Sequence, residues 1–220
     1  MSGDIEEPFM IRALIVDDHA IVRQGLKRIL DEAPGMVVGG EAVNGVQALK
    51  MIRAEKWDIV LLDISMPEKN GIDALKQIMD ENKSVKVLIL SMYPEDQYAV
   101  RMMKAGASGY MTKETAPEQL VEAIRQVVAG KKYISATLSE LLLFECGSDS
   151  AKSPHETLSD REYQVLRLIG SGKTVSEVAK LLSLSVKTVS TYRSHILDKM
   201  NLRNNAELTL YVIQNGLMGP

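Results

Sequence analysis

The 220-residue chain has one cysteine and no long apolar run, and each shortage removes a class of protein. Cys146 cannot close an internal disulfide and has no partner ligands at metal spacing, so it reads as a bystander thiol rather than a redox sensor. The longest apolar runs, such as Ile59-Val60-Leu61-Leu62 and Val87-Leu88-Ile89-Leu90, fall far short of the ~20 residues that span a bilayer. The opening Met1-Ser2-Gly3-Asp4-Ile5-Glu6-Glu7 is acidic where a secretion signal would be basic. A cytoplasmic protein with no membrane partner is expected. Repeats and low-complexity tracts are also missing.

What is present is the composition of a soluble, core-forming protein, 45% apolar and 25% charged, long enough for one large or two ordinary domains. The net charge of -3 hides an asymmetry. Residues 1–144 carry 17 Lys and Arg against 21 Asp and Glu, whereas 157–220 carry 8 against 5. A positive excess of that size permits polyanion binding without requiring it.

Apolar β-branched runs alternate with stretches of helical period. The pattern predicts strands at 11–16, 37–42, 59–62, 85–90 and 110–112, each followed by a helix: 21–32, 46–54, 72–79, 97–104 and 117–128. In the first helix Ile21, Leu26, Ile29 and Leu30 are expected on one sheet-facing stripe. The strands are apolar without alternation, as in a sheet covered on both faces. The expected fold class is α/β, a doubly wound five-stranded parallel sheet with its sites at the carboxyl ends of the strands. From about Lys132 the pattern changes. Residues 133–144 predict a short helix, 145–154 have nothing to bury, and 132–156 is expected to be a linker. A small all-α domain then follows, with helices expected at 160–170, 175–182, 186–200 and 206–215, and with Ser159 and Glu162 spaced for a capping box.

In such a sheet Asp17 and Asp18 end the first strand and Asp63 ends the third, so three carboxylates converge. They repel one another unless a cation neutralises them, and an all-oxygen set suits Mg²⁺ or Mn²⁺. A carboxylate there can also act as nucleophile toward phosphate, given a fixed cation such as Lys113 and a hydroxyl such as Ser91. Singly, each residue could merely cap a helix or sit in solvent. Five of them at the ends of strands one, three, four and five make a less ordinary coincidence.

Asp63-Ile64-Ser65-Met66-Pro67-Glu68-Lys69-Asn70-Gly71 has the D-x-x-M-P-x-x-x-G pattern of response-regulator receiver domains, and Ile15-Val16-Asp17-Asp18-His19 and Gly109-Tyr110-Met111-Thr112-Lys113 match two further signatures. Residues 10–131 thus resemble a flavodoxin-like receiver. The resemblance implies Asp63 as phosphoacceptor. It implies Asp18, Asp63 and the Ser65 carbonyl as metal ligands, with Asp17 acting through water. Ser91 is implied as switch hydroxyl, Tyr110 as the aromatic that moves with it, and Lys113 as phosphate partner. Ser65 and Tyr93 resemble positions that tune dephosphorylation. Glu114 departs from the family, which often has proline there; without proline a cis bond after Lys113 costs more.

Residues 175–200 fit a helix-turn-helix. On its second helix Val186, Val189, Ile196 and Met200 are expected to face inward, leaving Lys187, Ser190, Thr191 and Ser194 outward. Short hydroxyls suit base edges and phosphates, and Lys187 and Arg193 suit phosphates or guanine, though such a face can also be merely solvated. Leu158-Ser159-Asp160-Arg161-Glu162, Lys187-Thr188-Val189 and Lys199-Met200-Asn201-Leu202 make residues 157–220 resemble a LuxR-type domain. Receiver plus this domain resembles the NarL/FixJ response regulators, and Lys187–Arg193 and Glu207–Leu217 are similar to its GacA/UvrY branch. The resemblance implies a DNA-binding transcription factor rather than an enzyme. A histidine kinase or small phosphodonor would load it, and a homodimer would form when it is phosphorylated or DNA-bound. DNA contacts are implied for Lys187, Thr188, Ser190, Thr191, Tyr192, Arg193 and Ser194. The last helix is implied in dimerisation, with Leu208 and Val212 as contacts; with Leu217 they could equally be intradomain core, and the two roles are compatible. A metal-dependent phosphohydrolase is a rival reading, but it usually needs a second acid two residues after the nucleophile, where Ser65 stands. A regulator whose helical end only dimerises, and one that works without phosphate, are two more.

Overall fold

The computed structural model describes residues 10–66, 71–147 and 153–218. Pro67–Asn70 of the acidic motif, residues 148–152 of the expected linker and the side chain of Cys146 lie outside the described residues.

Strands β1 (Ile11–Val16), β2 (Met36–Ala42), β3 (Ile59–Asp63), β4 (Lys86–Ser91) and β5 (Gly109–Thr112) pair in parallel in the order β2-β1-β3-β4-β5. Parallel neighbours need a crossover. Helices α1 (Ala20–Glu32), α2 (Gly45–Ala54), α3 (Gly71–Glu81), α4 (Glu95–Lys104) and α5 (Pro117–Val128) alternate with the strands and supply it. The order reverses direction between β1 and β3, so a crevice opens at their carboxyl ends, where Asp17 and Asp63 stand.

One sheet face, including Ala13, Ile15, Ile59, Leu61, Leu88 and Met111, is buried with Leu30 of α1 and Leu120, Ile124 and Val127 of α5. The alternate residues Leu14, Val16, Val60, Leu62, Val87 and Ile89 are buried too, and period two puts them on the other face. Each such side chain contributes about 1.5–3 kcal/mol by leaving water. The expected stripe on α1 needs one correction: Ile21 is 84% exposed. Nine residues separate it from Leu30, which is two and a half turns, so Ile21 points away from the sheet. Leu26 and Ile29 do pack on the core beside Leu30.

The chain divides into two compact units after Leu142. Residues 132–142, expected to begin the linker, therefore belong to the first unit. Tyr133 is extended rather than helical: its amide donates to the Ser108 carbonyl at 2.9 Å, and it bridges Gly109. Helix α6 (Ala136–Gly147) begins three residues later than expected, where Ser135 Oγ accepts the Leu138 amide at 3.0 Å. No peptide bond among the described residues is cis, that between Lys113 and Glu114 included.

The second unit is helical: a 3-10 turn (Pro154–Thr157), then α7 (Asp160–Gly170), α8 (Val175–Leu181), α9 (Val186–Met200) and α10 (Asn205–Gln214). Ser159 and Glu162 form the expected capping box. The turn from α8 to α9 passes through Ser183 at φ 52, and α9 ends at Asn201, also left-handed at φ 53. Val189, Ile196 and Met200 are buried as expected, but Val186 is 50% exposed. It opens α9 next to its cap Ser185, beyond the reach of the core. Gly170 lets α7 and α10 approach closely, since a Cβ there would lie 2.5 Å from Val212 Cγ2.

Candidate functional site

Asp17 and Asp18 follow the last residue of β1, Asp63 ends β3, Ser91 ends β4 and Lys113 follows β5, so the sheet itself gathers them. Lys113 Nζ lies 2.6 Å from Asp17 Oδ2 and 2.9 Å from Asp63 Oδ2, with the two carboxylates 2% and the lysine 8% exposed. Burial pushes the Asp63 carboxyl above its ordinary range, outweighing the pull of Lys113. Burial would strip charge from Lys113, but Asp63 and Asp17 hold its ammonium above its usual value. The buried oxygens Asp17 Oδ2, Asp18 Oδ1 and both of Asp63 make no well-formed hydrogen bond. Lys113 Nζ faces Asp17 Oδ2 and Asp63 Oδ2, and His19 Nδ1 lies 2.9 Å from Asp18 Oδ1.

Ser91 and Tyr110 are buried beside this cluster's strands. Ser91 Oγ accepts the Tyr93 amide at 3.0 Å, and the Tyr110 hydroxyl donates to the Tyr93 carbonyl at 2.7 Å. Ser65 is exposed just past β3. The glycine that closes the acidic motif has a steric reason: a Cβ on Gly71 would fall 1.9 Å from the Asp63 carbonyl oxygen, and its amide donates to Ile64 O at 3.0 Å. Without a side chain at 71, α3 starts directly against the backbone of the strand end that carries Asp63.

On α9 the structure brings Lys187, Ser190, Thr191 and Ser194 together on one exposed face. Thr188 is half-buried and shares the cap of α9, its amide donating to Ser185 Oγ at 3.0 Å. Tyr192 and Arg193 are half-buried, and Arg193 Nε donates to Asn205 Oδ1 at 2.5 Å.

The response regulator receiver domain family matches residues 13–125, and the bacterial regulatory proteins of the luxR family match residues 156–212. Response regulator UvrY of Escherichia coli (strain K12) is 39% identical over 209 residues, covering 94% of this chain and 96% of that one. Response regulator GacA of Pseudomonas aeruginosa (strain PAO1) is 39% identical over 210 residues, covering 95% and 98%. The chain belongs to the LuxR-type response regulators. Among solved structures, RcsB from Salmonella enterica serovar Typhimurium, bound to promoter rprA in the presence of the phosphomimetic BeF3-, matches with a TM-score of 0.63 at 26% identity. That match covers 92% of this chain and 98% of that one.

This LuxR-type response regulator therefore combines a receiver domain with a LuxR-type DNA-binding domain and is a transcription regulator. Receivers bind Mg²⁺ at an acidic pocket, and Asp17, Asp18, Asp63 and His19 here offer ligand atoms within 4.8 Å of one another. Buried carboxylate oxygens short of donors are a donor set that fits a hard divalent ion. His19 was not singled out in the sequence. Its signal is position, since it caps α1 and its amide donates to Asp17 Oδ1 at 2.8 Å.

Leu208 and Val212, expected at a dimer contact, are fully buried within the helical unit, as is most of Leu217. The intradomain role is seen in this burial, because α10 turns that side toward α7 and Gly170 lets it approach. The apolar side chains that α10 leaves in solvent are Leu210 and Ile213, 54% and 55% exposed. Sequence reading also missed the second role of Glu162. Beyond its capping box, its 4%-exposed carboxylate accepts Lys199 Nζ of α9 at 2.7 Å, with His195 Nδ1 at 3.8 Å. Burial works against its charge, but Lys199 and the Ser159 hydrogen bonds hold its carboxyl below the usual range. No helix among the described residues is long and apolar enough to cross a membrane.

Proposed function

We propose that this regulator is switched by phosphorylation of Asp63. A histidine kinase or small phosphodonor supplies the phosphoryl group. An Asp63 carboxylate oxygen attacks phosphorus, and the bond to the donor breaks with its electron pair leaving on the donor. Lys113, 2.9 Å from Asp63 Oδ2, is already in place to balance charge on the phosphoryl oxygens. Asp17, Asp18, Asp63 and the Ser65 carbonyl would hold Mg²⁺ or Mn²⁺, which supplies further neutralisation of that charge. The Ser91 hydroxyl then donates to a phosphoryl oxygen and Tyr110 repacks with it. Attack by water later frees Asp63, at a rate tuned by Ser65 and Tyr93.

The functional parts we assign are a receiver at 10–131, a connecting segment at 132–156 and a DNA-binding domain at 157–220. Phosphorylation controls homodimerisation and promoter binding in the cytoplasm. The exposed face of α9 meets double-stranded DNA, with Lys187, Thr188, Ser190, Thr191, Tyr192, Arg193 and Ser194 at or beside the contact. Self-association through α10 would use Leu210 and Ile213. The observation that carries the reading is the buried Lys113 ammonium between the buried carboxylates of Asp17 and Asp63. Acetyl phosphate with Mg²⁺, followed by intact-mass spectrometry, tests it. Wild type gains one phosphoryl group and Asp63→Asn gains none; equal uptake by both would overturn the assignment.

A further inference from the structure

Ser91 is the last residue of β4, and four residues later Glu95 opens α4. Between them Tyr93 is held twice, by its amide on Ser91 Oγ and by its carbonyl under the Tyr110 hydroxyl, and Pro94 restricts the backbone that enters α4. The Glu95 carboxylate in turn accepts a hydrogen bond from the Ser135 hydroxyl. That same Ser135 oxygen accepts the Leu138 amide, and the Ser135 carbonyl accepts the Ser139 amide at 2.9 Å and its hydroxyl at 2.9 Å. Leu138 is fully buried. On its other side the start of α6 is fixed to the sheet through Tyr133 on Ser108 and Gly109.

We propose that Glu95 and Ser135 are positioning residues that carry the state of Ser91 into α6. The idea rests on the switch reading given above. When the Ser91 hydroxyl turns to a phosphoryl oxygen on Asp63, its bond to the Tyr93 amide is redirected, and the short 91–95 segment shifts with it. Glu95 moves relative to Ser135, while Tyr133 stays with β5. The cap of α6 thus stands between one anchor that responds and one that does not. Within this helix the chain passes from the first compact unit to the second, so the response is delivered where the connection begins.

The test is hydrogen exchange on the full chain, with and without beryllofluoride and Mg²⁺, read in the 92–95 segment at the amides of Met92, Tyr93 and Glu95 and in α6 at those of 138–142. In wild type both sets change, the second by about fivefold, the factor expected from one hydrogen bond of ordinary net strength. Glu95→Ala keeps the change at 92–95 and loses it at 138–142. Glu95→Gln, whose amide oxygen still accepts from Ser135, retains both. Ser135→Asp separates cap from link: aspartate caps a helix as well as serine but repels Glu95, so it behaves as Glu95→Ala. A Glu95→Ala or Ser135→Asp protein that responds at 138–142 like wild type would overturn the proposal. So would a wild type that changes at 92–95 and not in α6. No change at 92–95 in wild type would instead remove the switch reading beneath it, and the proposal with it.

Discussion

Truncation of Leu208 to alanine separates a core role from an interface role. Leu208 is fully buried in the helical unit, beside Val212 and the approach at Gly170. Removing its outer carbons loses transfer free energy of about 0.8 kcal/mol per methylene. Because α7 and α10 already touch, the gap can close only in part, and a cavity term brings the cost to about 3–5 kcal/mol. With an m-value of about 1.5 kcal/mol/M in urea, the midpoint of the helical unit falls by about 2 M or more. The assay can tell the units apart. Trp57, the one tryptophan, is buried in the first unit, so its fluorescence follows the receiver alone, while far-UV circular dichroism follows both. Leu208→Ala should lower the dichroism transition and leave the fluorescence midpoint in place. Leu210→Ala and Ile213→Ala, on the solvent side, should change stability by about 0.5 kcal/mol at most. The reasoning is refuted if Leu208→Ala leaves both midpoints unchanged yet abolishes self-association in analytical ultracentrifugation.

Lys187→Ala should weaken promoter binding and lower the slope of log affinity against log salt by about 1, as expected when one phosphate contact is lost; an unchanged slope in a salt titration removes Lys187 from the interface. Glu162 gives a pH signature. Its folded-state carboxyl lies below the ordinary glutamate value, so its stabilisation is complete above that ordinary value and is lost as pH falls through the depressed folded one. In urea unfolding from pH 7 to 3, wild type should lose its advantage over Glu162→Gln as pH falls below the ordinary glutamate range, about 4.3. Parallel curves for the two proteins would contradict the depressed carboxyl.

The five strands and their helices were legible because a parallel sheet writes its burial as bare apolar runs, which period and composition detect directly. The acidic site was legible because strand ends place their residues predictably, and the motif around Asp63 added the roles. Failures had a common cause: apolarity in one dimension does not say which side is buried. Ile21 and Val186 fit a helical period loosely yet point outward, one half a turn from its stripe and one at a helix start. Leu208 and Val212 were ambiguous for the same reason, and the deciding fact, an approach at Gly170 that only glycine tolerates, lies forty residues away. His19 and the Glu162–Lys199 pair depend on side-chain reach, which spacing alone does not encode.

The acidic site draws Asp17, Asp63, Ser91 and Lys113 from four different strand ends, and no two of these strands are joined by a tight hairpin. A fragment that stops before β4 holds the carboxylates but lacks Ser91 and Lys113. On the proposed reading, loading with phosphate needs the central pairings β1–β3, β3–β4 and β4–β5 all in register, late in assembly because each is non-local. On that reading a nascent or half-unfolded chain would be silent in signalling, with fidelity secured by topology before any kinase is consulted.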